Sequence, residues 1–197
     1  LRIISLDPAG KKFGVAGITL NSVDVPVTGK THCLSLFLAH VIETPSEWDS
    51  TKKTMYMAHA AATIIALEQP EEVVSEKPWG MGFSKQSLTE LIGAIKAETW
   101  AKVVWQGVSE ARRGVIGDTW GGSDKRSTAE WLLEYPWDIR AKRFIRAEID
   151  RASTTTDEGY DILDAILHGV FYLIDTKGLV PRVKPKKERK RAKKITQ

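Results

Sequence analysis

The sequence predicts an α/β fold in three layers, with helices on both sides of a five-stranded mixed sheet. Three observations carry that expectation. The 197 residues divide into short β-branched runs and longer segments whose apolar residues recur at helical spacing. Their order, β-β-β-α-β-α-β-α, places helices on both faces of one sheet. The composition, 42% hydrophobic and 27% charged, is that of a folded chain with enough apolar material for one core.

Arg2 to Asp7 reads as a buried strand, and Pro8-Ala9-Gly10-Lys11-Lys12 as a hairpin turn into a second strand, Phe13 to Leu20. Leu34 to Ile42 is the third strand. Thr51 to Leu67, rich in Ala, Met and Ile, is a long helix, and Glu72 to Glu76 the fourth strand. Ser87-Leu88-Thr89-Glu90 has the form of a capping box, in which the Ser hydroxyl and the Glu carboxylate satisfy the free amides of a helix start. Leu88, Leu91, Ile92 and Ile95 follow at helical spacing, so that helix is expected to reach about Ala101. Lys102 to Gln106 is a short fifth strand. A basic segment, Ser109 to Ile116, and a loop through Gly121-Gly122 lead to a second capping box, Ser127-Thr128-Ala129-Glu130. A charged helix is expected over Ile139 to Ile149. After a Ser/Thr-rich loop, a final helix is expected over Glu158 to Ile174, apolar at Ile162, Leu163, Ile166, Leu167, Val170 and Phe171.

The formal net charge of +4 conceals two regions. Arg182 to Lys194 holds nine Lys or Arg and one Glu, which leaves 20 basic and 24 acidic residues in 1–181. A folded domain over 1–178 and a basic disordered tail over 179–197 are therefore expected. Such a run of like charge stays solvated when alone; it serves solubility, or it binds a polyanion such as nucleic acid by displacing counterions. Inside the body, cations recur at Arg112 and Arg113, at Lys125 and Arg126, and at Arg140, Lys142, Arg143 and Arg146; each group alone is ordinarily a solvated face. A single cysteine, Cys33, excludes an internal disulfide and a Cys-based zinc site and fits a reducing compartment. No apolar stretch approaches the roughly 20 residues of a spanning helix, and no signal peptide is recognisable. A cytoplasmic protein without a membrane partner is expected, in a bacterial or phage-infected cell or an organelle. Because Leu1 leads straight into a strand, a few residues are expected upstream of it.

Asp7 ends the first strand, Glu76 ends the fourth, and Asp161 and Asp164 lie three residues apart on one face of the last helix. Singly, each has an ordinary reading: a turn former, a partner for a surface Lys, helix polarity. Carboxylates that converge at strand ends and on a facing helix repel one another unless a cation joins them. Oxygen ligands without His or Cys suit Mg²⁺ or Mn²⁺, and two such ions would clamp the attacking water and the leaving oxygen of a phosphodiester displacement. His168 reads as a satisfied residue of the last helix with no chemical role. A one-turn shift of that helix would put Asp157 or Glu158 in place of one of the two aspartates.

Ile3-Ile4-Ser5-Leu6-Asp7-Pro8-Ala9-Gly10, followed by Phe13-Gly14-Val15-Ala16, resembles the opening strand and hairpin of RuvC-type Holliday-junction resolvases, in the RNase H-like superfamily. Val73-Val74-Ser75-Glu76 is similar to that family's second acidic strand, Ser87 to Ala97 to the helix after it, and Asp161-Ile162-Leu163-Asp164-Ala165 to its closing helix. Gly121-Gly122-Ser123-Asp124-Lys125 resembles its Lys-bearing segment that lies against DNA, with Arg112 or Arg113 at an upstream DNA-contacting position. The resemblance covers residues 2–175. It implies an RNase H-like fold and a homodimeric, Mg²⁺-dependent endonuclease, with Mn²⁺ as a substitute and two ions per active site, that nicks opposing strands of a four-way DNA junction. Asp7, Glu76, Asp161 and Asp164 would be catalytic metal ligands. An aromatic wedge near the junction centre falls on Trp79, with Phe83 four residues on. Lys125 would offset charge on the phosphate, and Arg126, Lys186, Lys187, Arg189, Lys190 and Arg191 would add DNA contacts. The chain departs from the family pattern around Tyr135 to Thr156, which is either a further DNA-facing element or padding, and in its basic tail. That tail beside a diverged core points to a phage or viral member.

Two alternatives stand beside this reading. Another RNase H-like nuclease would use the same carboxylates on branched, flap or hybrid substrates. A non-catalytic DNA-binding protein would use the basic tail and groove, and would survive neutralisation of all four acids.

Overall fold

The computed structural model describes residues 1–9, 12–25, 29–77, 83–99, 101–107, 111, 114, 115, 125–152 and 159–179. Side-chain alternation in β1 (Arg2–Pro8) sets the architecture. Ile4 and Leu6 enter one apolar cluster and Ile3 another, on opposite faces of the sheet. By the same parity Ser5 and Asp7 share the face of Ile3.

β1 is central in a five-stranded mixed sheet of order β3-β2-β1-β4-β5. β2 (Lys12–Val25) and β3 (Gly29–Glu43) join it as antiparallel neighbours, as short connections allow. β4 (Glu72–Glu76) and β5 (Val103–Gln106) are parallel to it, reached through α1 (Ser50–Glu68) and α2 (Phe83–Thr99). Met57, Ala58, Ala61 and Ile65 of α1 and Leu91, Ile92 and Ile95 of α2 close one face over Ile4, Leu6, Phe13 and Val15. The other face is covered by α3 (Lys125–Trp131), a 3₁₀ turn (Leu132–Glu134), α4 (Ile139–Arg151) and α5 (Asp161–Lys177). No helix among the described residues is long and apolar enough to cross a membrane.

Several element ends differ from expectation. β2 and β3 continue past Leu20 and start before Leu34, paired with each other from Asn21–Cys33 out to Val25–Gly29. α2 begins at Phe83 and α3 at Lys125, so Ser87 and Ser127 lie inside their helices and neither capping box marks a start. A Ser-x-x-Glu spacing also fits one face within a helix, and no breaker between Phe83 and Ser87 or between Lys125 and Ser127 ends the turn ahead of it. α5 starts at Asp161 rather than Glu158, because Gly159 has φ +82° and cannot continue a right-handed helix. Asp157 and Glu158 lie outside the described residues, and the helix register carries Asp161 and Asp164 as expected.

The stretch from Tyr135, which the sequence leaves as either a DNA-facing element or padding, is built into the core at its start. Tyr135 and Trp137 are buried; the Tyr135 hydroxyl donates to the Val115 carbonyl (2.8 Å) and the Trp137 indole to the Leu132 carbonyl (2.7 Å). Burial pushes the Tyr135 phenol well above its ordinary pKa. The backbone alongside pairs with β3: the Leu34 amide donates to the Pro136 carbonyl and the Asp138 amide to the Leu34 carbonyl, both at 2.8 Å. Asp138 then caps α4 by accepting from the Ala141 amide (2.7 Å).

Candidate metal centre

Parallel pairing of β1 with β4 puts Leu6 beside Ser75. The next residues, Asp7 and Glu76, therefore leave the C-terminal ends of both strands together and on the same face. Asp7 is 9% exposed and Glu76 8%.

α5 lies over that face. In the β1–β2 register Asp7 is paired with Gly14, where the helix lies close against the sheet. A Cβ on residue 14 would stand 2.1 Å from the Asp161 carbonyl oxygen, inside any permitted contact, so only glycine admits the first turn of α5 here. That turn carries Asp164, and His168 follows one turn later on the same side, at i, i+3 and i+7 from Asp161. At the far edge, the Gln106 carboxamide holds the helix backbone: its nitrogen donates to the His168 carbonyl (2.8 Å) and its oxygen accepts from the Tyr172 amide (3.1 Å).

One ligand atom from each of Asp7, Glu76 and His168 lies within 4.8 Å of the other two. Glu76 Oε2 is 3.9 Å from His168 Nε2, and His168 is 1% exposed. That separation is too long for a hydrogen bond. It falls between the roughly 3 Å of adjacent ligands and the roughly 4 Å of opposite ligands around one ion bound at about 2.0–2.2 Å. Lys125, the first residue of α3, places Nζ 3.0 Å from Asp164 Oδ2.

The charges explain what such a pocket requires. Burial holds the Asp7 carboxyl well above its ordinary pKa; the charge of Asp164 and the hydrogen bond and charge of Glu76 push the same way, and Lys125 opposes them. Three crowded carboxylates against one ammonium leave a negative excess in a desolvated site. Oxygen donors dominate the set, which suits a hard divalent cation, and the imidazole adds a donor that Mn²⁺ accepts readily.

The structure thus brings Asp7, Glu76, Asp164 and Lys125 together. The Asp161 carboxylate makes no hydrogen bond or ion pair among the described residues, although its backbone forms the tight approach to Gly14. His168, to which the sequence assigns no chemical role, stands beside this set, one of its ring nitrogens within 4.8 Å of the ligand atoms of Asp7 and Glu76. Arg126 is drawn into the body, with its guanidinium donating to the Ile149 carbonyl (3.2 Å) and lying 3.5 Å from Glu130 and 3.9 Å from Asp150. Phe83 is the first residue of α2, its side chain outside the described ones. Trp79, Arg112, Arg113, Lys186, Lys187, Arg189, Lys190 and Arg191 lie outside the described residues.

No protein-family model matches the sequence, and no curated protein sequence matches it. Solved structures do. Thermus thermophilus RuvC superposes with a TM-score of 0.60 at 15% identity, over 92% of this chain and 99% of that one. The fold is that of RuvC. The same protein in complex with Holliday junction substrate gives a TM-score of 0.62 at 13% identity, over 94% and 99% of the two chains. Fowlpox virus resolvase, in complex with its substrate Holliday junction DNA, gives 0.50 at 17% identity, over 89% and 98%. The five-stranded mixed sheet and its two helical layers are thus the RuvC-type, RNase H-like arrangement the sequence predicts.

Proposed function

We propose that this chain is a divalent-metal-dependent endonuclease that acts on four-way DNA junctions. The observation that carries the reading is the convergence of Asp7, Glu76 and Asp164 at the C-terminal ends of β1 and β4, in a RuvC-type fold. Asp7, Glu76, Asp161 and Asp164 would hold the metal, two Mg²⁺ ions per site with Mn²⁺ as a substitute, and His168 stands where it can complete the set. Bound there, the ions supply Lewis acidity and lower the pKa of a coordinated water. The chain's own residues do the rest. The strand ends and Gly14 fix the carboxylates in place, burial of Asp7 and Glu76 excludes competing water, and Lys125 carries a positive charge to the rim, where charge builds on the phosphate oxygens.

The reading extends to a homodimer. α1 leaves Met55 67% and Tyr56 46% exposed beside Trp48, which meets Tyr56 edge-on, and such an apolar patch suits self-association. Trp79 or Phe83 would supply the aromatic wedge, and the basic residues of 182–194 would add salt-sensitive, sequence-independent affinity.

The test is cleavage of labelled four-way junctions and matched linear duplexes in Mg²⁺ and Mn²⁺, comparing wild type with Asp7→Asn and Glu76→Gln. The expected result is paired symmetric nicks in the junction, absent from linear DNA and reduced at least about a thousandfold in both variants with junction binding retained. Equal cleavage of linear or flapped DNA would assign a general nuclease, since fold alone does not choose a substrate. Tight junction binding with no cleavage in either metal would overturn the enzymatic reading.

A further inference from the structure

We propose that the outer face of α4 binds the phosphate backbone of a duplex arm of the substrate, apart from the cleavage site. The proposal rests on the junction-nuclease reading and names a surface for the DNA beyond the cleavage site. Arg140, Lys142, Arg143 and Arg146 are all exposed on this helix. Among the described residues none of the four makes an ion pair or a side-chain hydrogen bond. Other cations of this layer are neutralised: Lys125 by Asp164, Arg126 by Glu130 and Asp150, and Arg151 by Glu148 at 2.8 Å. The acids of α4 are therefore occupied elsewhere, Glu148 being itself buried.

Arg140, Arg143 and Arg146 follow at i, i+3 and i+6, and Lys142 stands four residues before Arg146. These like charges are neighbours on one surface and destabilise one another until an anion joins them. The helix that displays them is held firmly. Ala141, Ile145 and Ile149 are buried, Asp138 caps its start, and the residues before it pair with β3. Arg140 to Arg146 spans roughly 9 Å of helix axis, the axial rise of two to three phosphates of one DNA strand.

The position also fits. Arg126, which bonds the Ile149 carbonyl at the C-terminal end of α4, adjoins Lys125, whose ammonium touches Asp164. The cationic stretch thus begins about one turn from the end of α4 nearest the carboxylates and leads away from them, where a duplex arm would leave the cleaved phosphate. Guanidinium forks match phosphate oxygens in pairs, which favours a nucleic-acid backbone. A membrane surface is disfavoured, because the apolar side of α4 is spent in the core and cannot enter lipid.

The experiment measures junction binding by the full chain in EDTA across a salt series, with wild type against Arg140→Gln/Arg143→Gln/Arg146→Gln. The triple variant is expected to bind about tenfold or more weakly near physiological salt and to lose about 2–3 from the slope of log affinity against log salt. An Arg→Lys triple should keep the slope, and Lys102→Gln, exposed beside β5 at the opposite edge of the sheet, should leave it unchanged. Cleavage of junction at saturating protein should proceed at the wild-type rate, which shows the variant folded. Unchanged affinity and slope in the Gln triple, while wild type binds and cuts junctions, would overturn this proposal alone. Loss of binding to phosphatidylserine vesicles without loss on DNA would overturn it in favour of a membrane surface. Failure of wild type to bind any DNA would overturn both this proposal and the junction reading.

Discussion

The two faces of the sheet divide the molecule's tasks by strand parity. Toward α1 and α2, the strands present Ile4, Leu6, Phe13, Val15, Val73 and Val103, with Ser75 the buried polar side chain beside them, its hydroxyl donating to the Glu76 carbonyl. Toward α5, the same strands present Ser5, Asp7, Glu76 and Gln106, all buried, and Ser5 Oγ finds no hydrogen-bond partner among the described residues. Adjacent residues of one strand therefore meet opposite demands. Burial of the first set stabilises the fold at roughly 25 cal/mol per Å² of apolar surface, whereas burial of the second costs free energy that a cation bound there would offset.

The sharpest way to break the comparison is to cut one residue on each side. Leu6→Ala on the apolar face should cost about 2–5 kcal/mol, or some 2–4 °C in Tm for each kcal/mol, with cleavage below the transition retained. Glu76→Gln, one strand away on the other face, should do the reverse, and a variant pair that lost stability and activity together would deny the division. Gly14→Ala should lower cleavage about a hundredfold while the sheet stays folded by circular dichroism, because the new methyl displaces the first turn of α5 by a fraction of an ångström to an ångström.

A smaller effect has the opposite sign. The Asp7 pKa is raised above its ordinary 3.8 in the folded chain. Stability linked to it is thus fully present below that ordinary value and is lost as pH rises through the raised one. Asp7→Asn should remove this loss, so in EDTA its denaturant midpoint should exceed that of wild type by a margin that grows from about pH 4 to neutrality. A constant margin would remove the electrostatic account. The mildest expected change is in metal preference: His168→Gln should weaken Mn²⁺ about tenfold and Mg²⁺ less, read by titration calorimetry, whereas a purely packing role would leave both affinities alike.

Asp7 and Glu76 were legible in the sequence because a carboxylate at the end of an apolar strand violates the pattern around it. Although the order of its strands was not read from the sequence, the mixed sheet was legible for a related reason, since a hairpin and helical crossovers announce themselves by connection length. His168 was not, because a histidine within an apolar helix looks like core until the opposite strands are known. Gly14 was invisible as a site residue, for its contribution is the absence of a side chain at one close approach. The starts of α2 and α3 were misread because the capping-box spacing is also the spacing of one helix face. The pairings that leave the α4 cations without counterions among the described residues depend on contacts between elements, which no local pattern encodes.

The Leu34–Trp137 bridge has a bearing on how the protein stays dispersed. β3 is the outermost strand, and an open strand edge is a template on which another chain can add. Pro136 and Asp138 occupy the backbone groups of Leu34 on that side, while Trp137 is folded inward. A chain trimmed of residues 135–151 would free the backbone groups of Leu34 and empty part of the core at once, and it is expected to aggregate, as light scattering would read. The segment from Tyr135 to Arg151 thus occupies part of a strand edge at the same time as it carries the cationic helix.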